Sequence, residues 1–155
     1  MNKKRAIAAA CVLMLAAGAA ALAQQKPKDA IKYRQSALFI VGQNFGPIAA
    51  MVQGKIPYDK DDAARRAAIV DFVFKLPWAA FAPGTEEGDT KAKPEIWLDM
   101  EDFKAKAKHA QEEVAKLAEV AASGDFDALK SQVGATGKAC KKGTDCKPEN
   151  CKPAH

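Results

Sequence analysis

Nowhere does this 155-residue chain alternate apolar and polar residues as a strand would, which excludes a sheet-built fold and leaves helices to do the folding. Histidine is nearly absent too. His109 and His155 stand at unrelated places with no nucleophile motif beside either, so a hydrolytic site has little support and the chain does not read as an enzyme. Net charge is also slight. The formal +5 includes Lys3, Lys4 and Arg5 of an N-terminal leader; without those three, 21 of the 24 basic side chains face 19 acidic ones. Residues 138–155 hold five lysines against Asp145 and Glu149, so the body before them is slightly acidic. A near-neutral body offers no electrostatic footprint for nucleic acid, which is set aside as a partner.

The leader spans residues 1–23. Its basic start precedes an apolar run from Ala6 to Ala20, and "ALA" at 21–23 supplies small residues for cleavage before Gln24. That is the pattern of a secretory signal peptide, too short and too rich in alanine for a membrane anchor. Cys11 lies inside the apolar run, away from the position of a lipoprotein cysteine. The mature chain is expected to be an exported, soluble single domain of 132 residues with no membrane span. Export sets the redox conditions as well: cysteines outside the cytoplasm are oxidised, ligated or derivatised. Cys140, Cys146 and Cys151 are odd in number, so disulfides alone leave one unexplained.

What is present is helical periodicity. Ile31, Leu38, Val41, Phe45, Ile48 and Val52 form one stripe and predict a helix over about 28–53, with Pro27 in its first turn, Gly54 at its end and a kink at Pro47. A second helix is expected over 60–75, capped by Asp59 or Asp61, with Ala63, Ala67, Val70 and Phe74 inward. "LPWAAFAPGTEEGD" carries two prolines and two glycines and reads as a long crossover loop. Asp99 and Asp102 signal the start of a third helix, lined by Phe103, Ala107, Ala110, Val114, Leu117 and Ala121 and stopped by Gly124. A fourth begins at Asp125 and carries Phe126, Leu129 and Val133. Four amphipathic helices with three connections predict an all-α antiparallel four-helix bundle over 24–140, followed by a Cys/Lys/Pro-rich tail over 141–155 too rich in breakers for a regular helix.

Some residues fit a plain core poorly. Arg34 shares a helix face with Ile31 and Leu38, and a charge in an apolar stripe calls for an anionic partner: it either snorkels at the bundle edge or salt-bridges to another helix, or it clamps a carboxylate-bearing ligand. Trp78 and Phe81 pair in the crossover loop, either as core or as the wall of a flat cofactor, whereas His109 belongs on a solvated face. In the tail, Cys140, Cys146, Cys151 and His155 follow at spacings of x5, x4 and x3. Three thiolates and an imidazole satisfy tetrahedral zinc chemically; a Cys146–Cys151 disulfide around Pro148 is the alternative.

"KPKDAIKYRQSALFIVGQNFGPIAAMVQGKIPYD", "LPWAAFAPGTEEGDTKAKPEIW" and "VGATGKAC" closely resemble the cytochromes c′, periplasmic four-helix haem proteins of bacteria, from about Lys26 to Cys140. The resemblance implies a periplasmic protein with one c-type haem and its iron, electron transfer with a redox partner protein, binding of small gases, nitric oxide especially, and a homodimer through the first two helices. It implies that Arg34 lies near a haem propionate and that Leu38 covers the distal haem face, keeping iron five-coordinate. Gln35 and Phe81 fall at the haem edge and pocket wall. The attachment motif departs from the family: Cys140 is followed by Lys141, Lys142, Gly143 and Thr144, so that Gly143 and Thr144 stand where the second thioether cysteine and the axial histidine belong. A second register puts Gly137 and Cys140 on the two cysteines and Lys141 on the axial ligand; neither yields Cys-x-x-Cys-His. A frame change in the gene after Cys140 would produce the same break. At most one thioether, through Cys140, is expected, with an iron ligand drawn from the tail. A haemless domain with a zinc-binding or disulfide-closed tail is the alternative.

Overall fold

The computed structural model describes residues 26–143, with side chains over residues 26–140. The expected leader (1–23) and the tail candidates Cys146, Cys151 and His155 lie outside the described residues. The elements are α1 (Pro27–Val52), α2 (Lys60–Phe74), a 3-10 turn (Pro77–Ala80), the short α3 (Glu95–Leu98), α4 (Met100–Ser123) and α5 (Phe126–Gly143). No strand occurs among the described residues.

Local chemistry explains most of these boundaries. Pro27 occupies the first turn of α1, where its missing amide has no helical acceptor to lose. The Asp59, Asp99 and Asp125 carboxylates accept from the amides of Asp62 (3.0 Å), Asp102 (3.0 Å) and Ala128 (2.9 Å), capping α2, α4 and α5. Gly124 ends α4 at φ 78°, in the left-handed region that favours glycine, so the backbone turn itself calls for this residue. α1 continues through Pro47. The ring removes the amide that would have bonded Gln43 O, and Arg66 Nη1 of α2 donates to that carbonyl instead, over a long 3.5 Å. At the other end α5 runs on to Gly143, beyond the expected start of the tail at 141. Lys141 and Lys142 are good helix formers that extend a helix already anchored by packing, and the first proline beyond them is Pro148.

The four long helices circle in the order α1, α2, α4, α5, each packed on its two neighbours. Their directions follow from two layers of core. In one layer, Ile48, Met51 and Val52 from late α1 meet Ala63 and Ala67 from early α2, Leu117 and Ala121 from late α4, and Leu129 and Val133 from early α5. The other layer joins Leu38 from early α1 to Val70 and Phe74 from late α2, Ala110 and Val114 from early α4, and Ala139 from late α5. Neighbours are therefore antiparallel, and the alanines at the contacts let the helices close on one another. The connection from α2 to α4 starts and finishes at the second layer. Rather than crossing the bundle, it closes one end. No described helix is long and apolar enough to cross a membrane.

Candidate cofactor site at the loop end of the bundle

All four long helices contribute to the layer beneath that connection. Val70, Phe74, Ala110, Val114 and Ala139 are buried there, and Leu38, Val41, Phe45, Trp78 and Cys140 pack against them. Leu38 and Cys140, predicted for opposite parts of a haem site, thus reach the same apolar cluster from α1 and α5. The loop adds an aromatic wall. Phe81, only 6% exposed, lies 4.8 Å from Phe103, 6.1 Å from Trp97 and 6.3 Å from Trp78, centroid to centroid. Trp78 meets Phe74 edge-on at 5.0 Å, and its indole N–H donates to Phe74 O.

Arg34 is where the structure departs from the sequence-based expectation. It is 2% exposed, yet no described carboxylate lies within ion-pair distance of it. Instead Nη1 donates to Ala80 O (3.1 Å) and Thr85 Oγ1 (2.8 Å), and Nη2 to Thr85 O (2.8 Å) and Thr90 Oγ1 (2.9 Å). The guanidinium carbon sits 4.5 Å from the centroid of the Phe81 ring and 5.4 Å from that of Trp97. Burial lowers its pKa from the ordinary value. Neutral oxygens and ring faces replace the anionic partner that the sequence called for. Gln35, on the exposed side of α1, donates from Nε2 to Asp89 O at 2.8 Å and binds the same loop.

Sequence reasoning missed a polar seam between α4 and α5. Glu113 is 9% exposed; its carboxylate accepts from Lys116 Nζ (2.6 Å) and Gln132 Nε2 (2.8 Å), while its carbonyl accepts from Gln132 Nε2 (3.0 Å) and Thr136 Oγ1 (3.2 Å). Gln132, Thr136 and Cys140 follow at four-residue steps, so this seam sets the register of the helix turn that carries the cysteine. The available signal was Glu113 lying three residues after Ala110, with Gln132 and Thr136 one turn apart on the facing helix. Hydrogen bonds from Lys116, then Gln132, hold the Glu113 carboxyl below the usual carboxylate value against the opposing pull of burial. A carboxyl depressed in the fold stabilises it above the unfolded pKa, about 4.3, and loses that contribution as pH falls through the lower folded value. Urea denaturation across this window should show wild type losing stability more steeply with falling pH than Glu113→Gln. Identical pH slopes would remove Glu113 from the account.

A c-type haem asks for apolar walls, thiols for its vinyl groups and an axial base. The walls fit, and Cys140 fits one thioether. The described residues do not supply the remaining donors: Cys140 is the one cysteine among them, and His109, the one histidine, lies on the exposed face of α4 as expected. No group of three or more metal-ligating side chains occurs among the described residues either. Of the Cys3His zinc set, only Cys140 is described.

The family model described as Cytochrome C′ matches residues 29–145. Cytochrome c′ of Rubrivivax gelatinosus is 49% identical over 118 residues, covering 76% of this chain and 92% of the relative. Cytochrome c′ of Alcaligenes xylosoxydans xylosoxydans is 44% identical over 116 residues, covering 75% and 90%. Among solved structures, that of cytochrome c′ from Rubrivivax gelatinosus is similar at a TM-score of 0.74 and 48% identity, over 77% of this chain and 94% of the other. A nitric oxide complex of a leucine variant of cytochrome c prime from Alcaligenes xylosoxidans is similar at 0.72 and 42%, over 79% and 95%.

Proposed function

Since the chain belongs to the cytochrome c′ family of haem proteins, we propose that it carries one haem at the loop end of its bundle, binds a small gas such as nitric oxide there, and exchanges electrons with a redox partner protein. The observation that carries this reading is the meeting of Leu38 and Cys140 on one apolar cluster. Haem supplies the iron that binds the gas and changes oxidation state. Cys140 would hold the group through its thiol, the one described side chain that could form a thioether with it. Leu38 presents an apolar side chain that cannot ligate iron, which favours an open coordination position for a gas. Phe81 and Trp78 exclude water from the loop side. A protein ligand to the iron would have to be drawn from the segment after Cys140, where the sequence offers Lys141 and His155 as bases.

The chain works in the periplasm after losing residues 1–23, and it pairs as a homodimer through α1 and α2. Tyr33 and Ile40 on α1 and Phe72 on α2, the last 68% exposed, support that pairing. The test of function is to express the full chain with c-haem maturation machinery and measure haem content and the pyridine haemochrome, whose band position counts the vinyl groups consumed. One consumed vinyl group, with a spectral change when nitric oxide meets the reduced protein, is the expected result. A chain that acquires no haem and takes up no added haemin overturns the proposal.

A further inference from the structure

We infer that Arg34 is a positioning residue: it latches the connecting segment, residues 80–97, onto α1 and thereby sets the aromatic wall of the cofactor site, its terminal N–H groups being committed to neutral acceptors of the protein and not to a carboxylate of a ligand. The consequence for the site rests on the proposed function. The latch itself is a property of the chain without any cofactor.

A guanidinium has five N–H donors, and the four on Nη1 and Nη2 are all used, on Ala80, Thr85 and Thr90. Only Nε–H lies outside this set, so a ligand carboxylate seeking a bidentate grip would have to displace Thr85 or Thr90. The acceptors are themselves tied into the segment. Thr85 Oγ1 also donates to Ala82 O at 2.7 Å, Thr90 Oγ1 also accepts from Ala92 N at 3.1 Å, and Trp97 Nε1 donates to the same Ala82 carbonyl at 3.1 Å. The segment has little regular structure to hold it otherwise. No helix covers residues 81–94, and Gly84 and Gly88 turn it at φ 85° and 118°. Arg34 therefore grips it at three points, with Gln35 adding a fourth at Asp89. Phe81 contacts both the guanidinium, at 4.5 Å, and the Phe103 ring, at 4.8 Å, so holding the segment holds the wall. Lysine cannot substitute: three donors on a compact ammonium do not span four acceptors arranged for a planar fork.

The experiment compares wild type, Arg34→Lys and Thr90→Val as full chains made without haem, by amide hydrogen exchange at Thr85, Thr90 and Ala92 and by near-ultraviolet circular dichroism of the Trp78, Phe81 and Trp97 cluster. Arg34→Lys should speed exchange there by about tenfold or more and weaken the aromatic signal while α4 and α5 stay protected. Thr90→Val, which removes one acceptor, should act in the same direction by a smaller factor. Haemin and haemin dimethyl ester are then titrated into each protein, and Arg34→Lys should lose the same factor in affinity for both. Unchanged exchange in both variants overturns the inference, as does an affinity loss confined to haemin with free carboxylates. If Arg34→Lys does not fold, Thr90→Val decides alone, read at the Thr85 amide, which bonds Ala82 O and not the Thr90 hydroxyl that Ala92 N uses: faster exchange at Thr85 supports the latch and unchanged exchange there overturns it. If wild type binds neither haemin, the proposed function fails while the exchange result still decides the latch.

Discussion

Cys140→Ala should abolish covalent haem attachment completely, leaving a protein whose haem is stripped by acid and acetone and which shows no haem stain on a denaturing gel. Cys140 is the one described cysteine that meets the apolar layer, and it stands on α5 one turn after Thr136, which is bonded to the Glu113 carbonyl. That register presents its thiol to the site before any cofactor arrives. Alanine keeps the helix and fills most of the small thiol's place, so far-ultraviolet dichroism should not change. Wild type, matured alongside and denatured in the same way, should keep its haem. Haem that stays attached in Cys140→Ala would mean that Cys146 or Cys151 makes the bond, and the site would then have to be redrawn around the tail. Haem lost from wild type as well would show that no thioether forms and would overturn the single-bond expectation.

Leu117→Ala should cost about 3–5 kcal/mol of stability by urea denaturation, at the large end for a single core truncation. Leu117 is fully buried in the layer where all four long helices meet, among Ile48, Met51, Ala63, Ala67 and Leu129. Its surroundings resist collapse. The neighbouring helices already touch through Ala63, Ala67 and Ala121, so a vacated leucine volume stays a cavity instead of being filled by their approach. Against a typical domain stability of about 5–15 kcal/mol, such a loss would leave a marginal fold. A loss under about 1.5 kcal/mol would show that the layer relaxes and that the alanine contacts are not rigid.

Asp59, Asp99, Gly124 and Pro27 were legible in the sequence because each acts within one turn of itself: a carboxylate three residues before an amide, a left-handed glycine, a proline where no amide is needed. The inner stripes were legible for a related reason. A helix repeats every 3.6 residues, and burial of one face imprints that period on the chain, so Ala63, Val70, Leu117 and Leu129 could be placed inside before any packing was known. Arg34 announced itself as a charge in an apolar stripe, but its partners did not. Ala80, Thr85 and Thr90 lie 46 to 56 residues onward, and carbonyls and hydroxyls carry no sequence mark distinguishing an acceptor in use from one facing water. Glu113 escaped notice because it borders its stripe, and only the arrival of Gln132 and Thr136 on the facing helix makes it a buried, paired carboxylate.

The chain by itself therefore determined four helices, their caps, their inner faces, the arginine anomaly and the Lys-Lys-Gly-Thr run after Cys140, all of which depend on residues within a few positions of one another. Tertiary structure alone decided that Leu38 and Cys140, about a hundred residues apart, share one apolar layer; that the connecting segment closes the bundle's end; and that neutral oxygens satisfy Arg34. Those outcomes depend on helix order, direction and register. Packing sets all three by burying every stripe at once, a condition on the whole chain that no local stretch records.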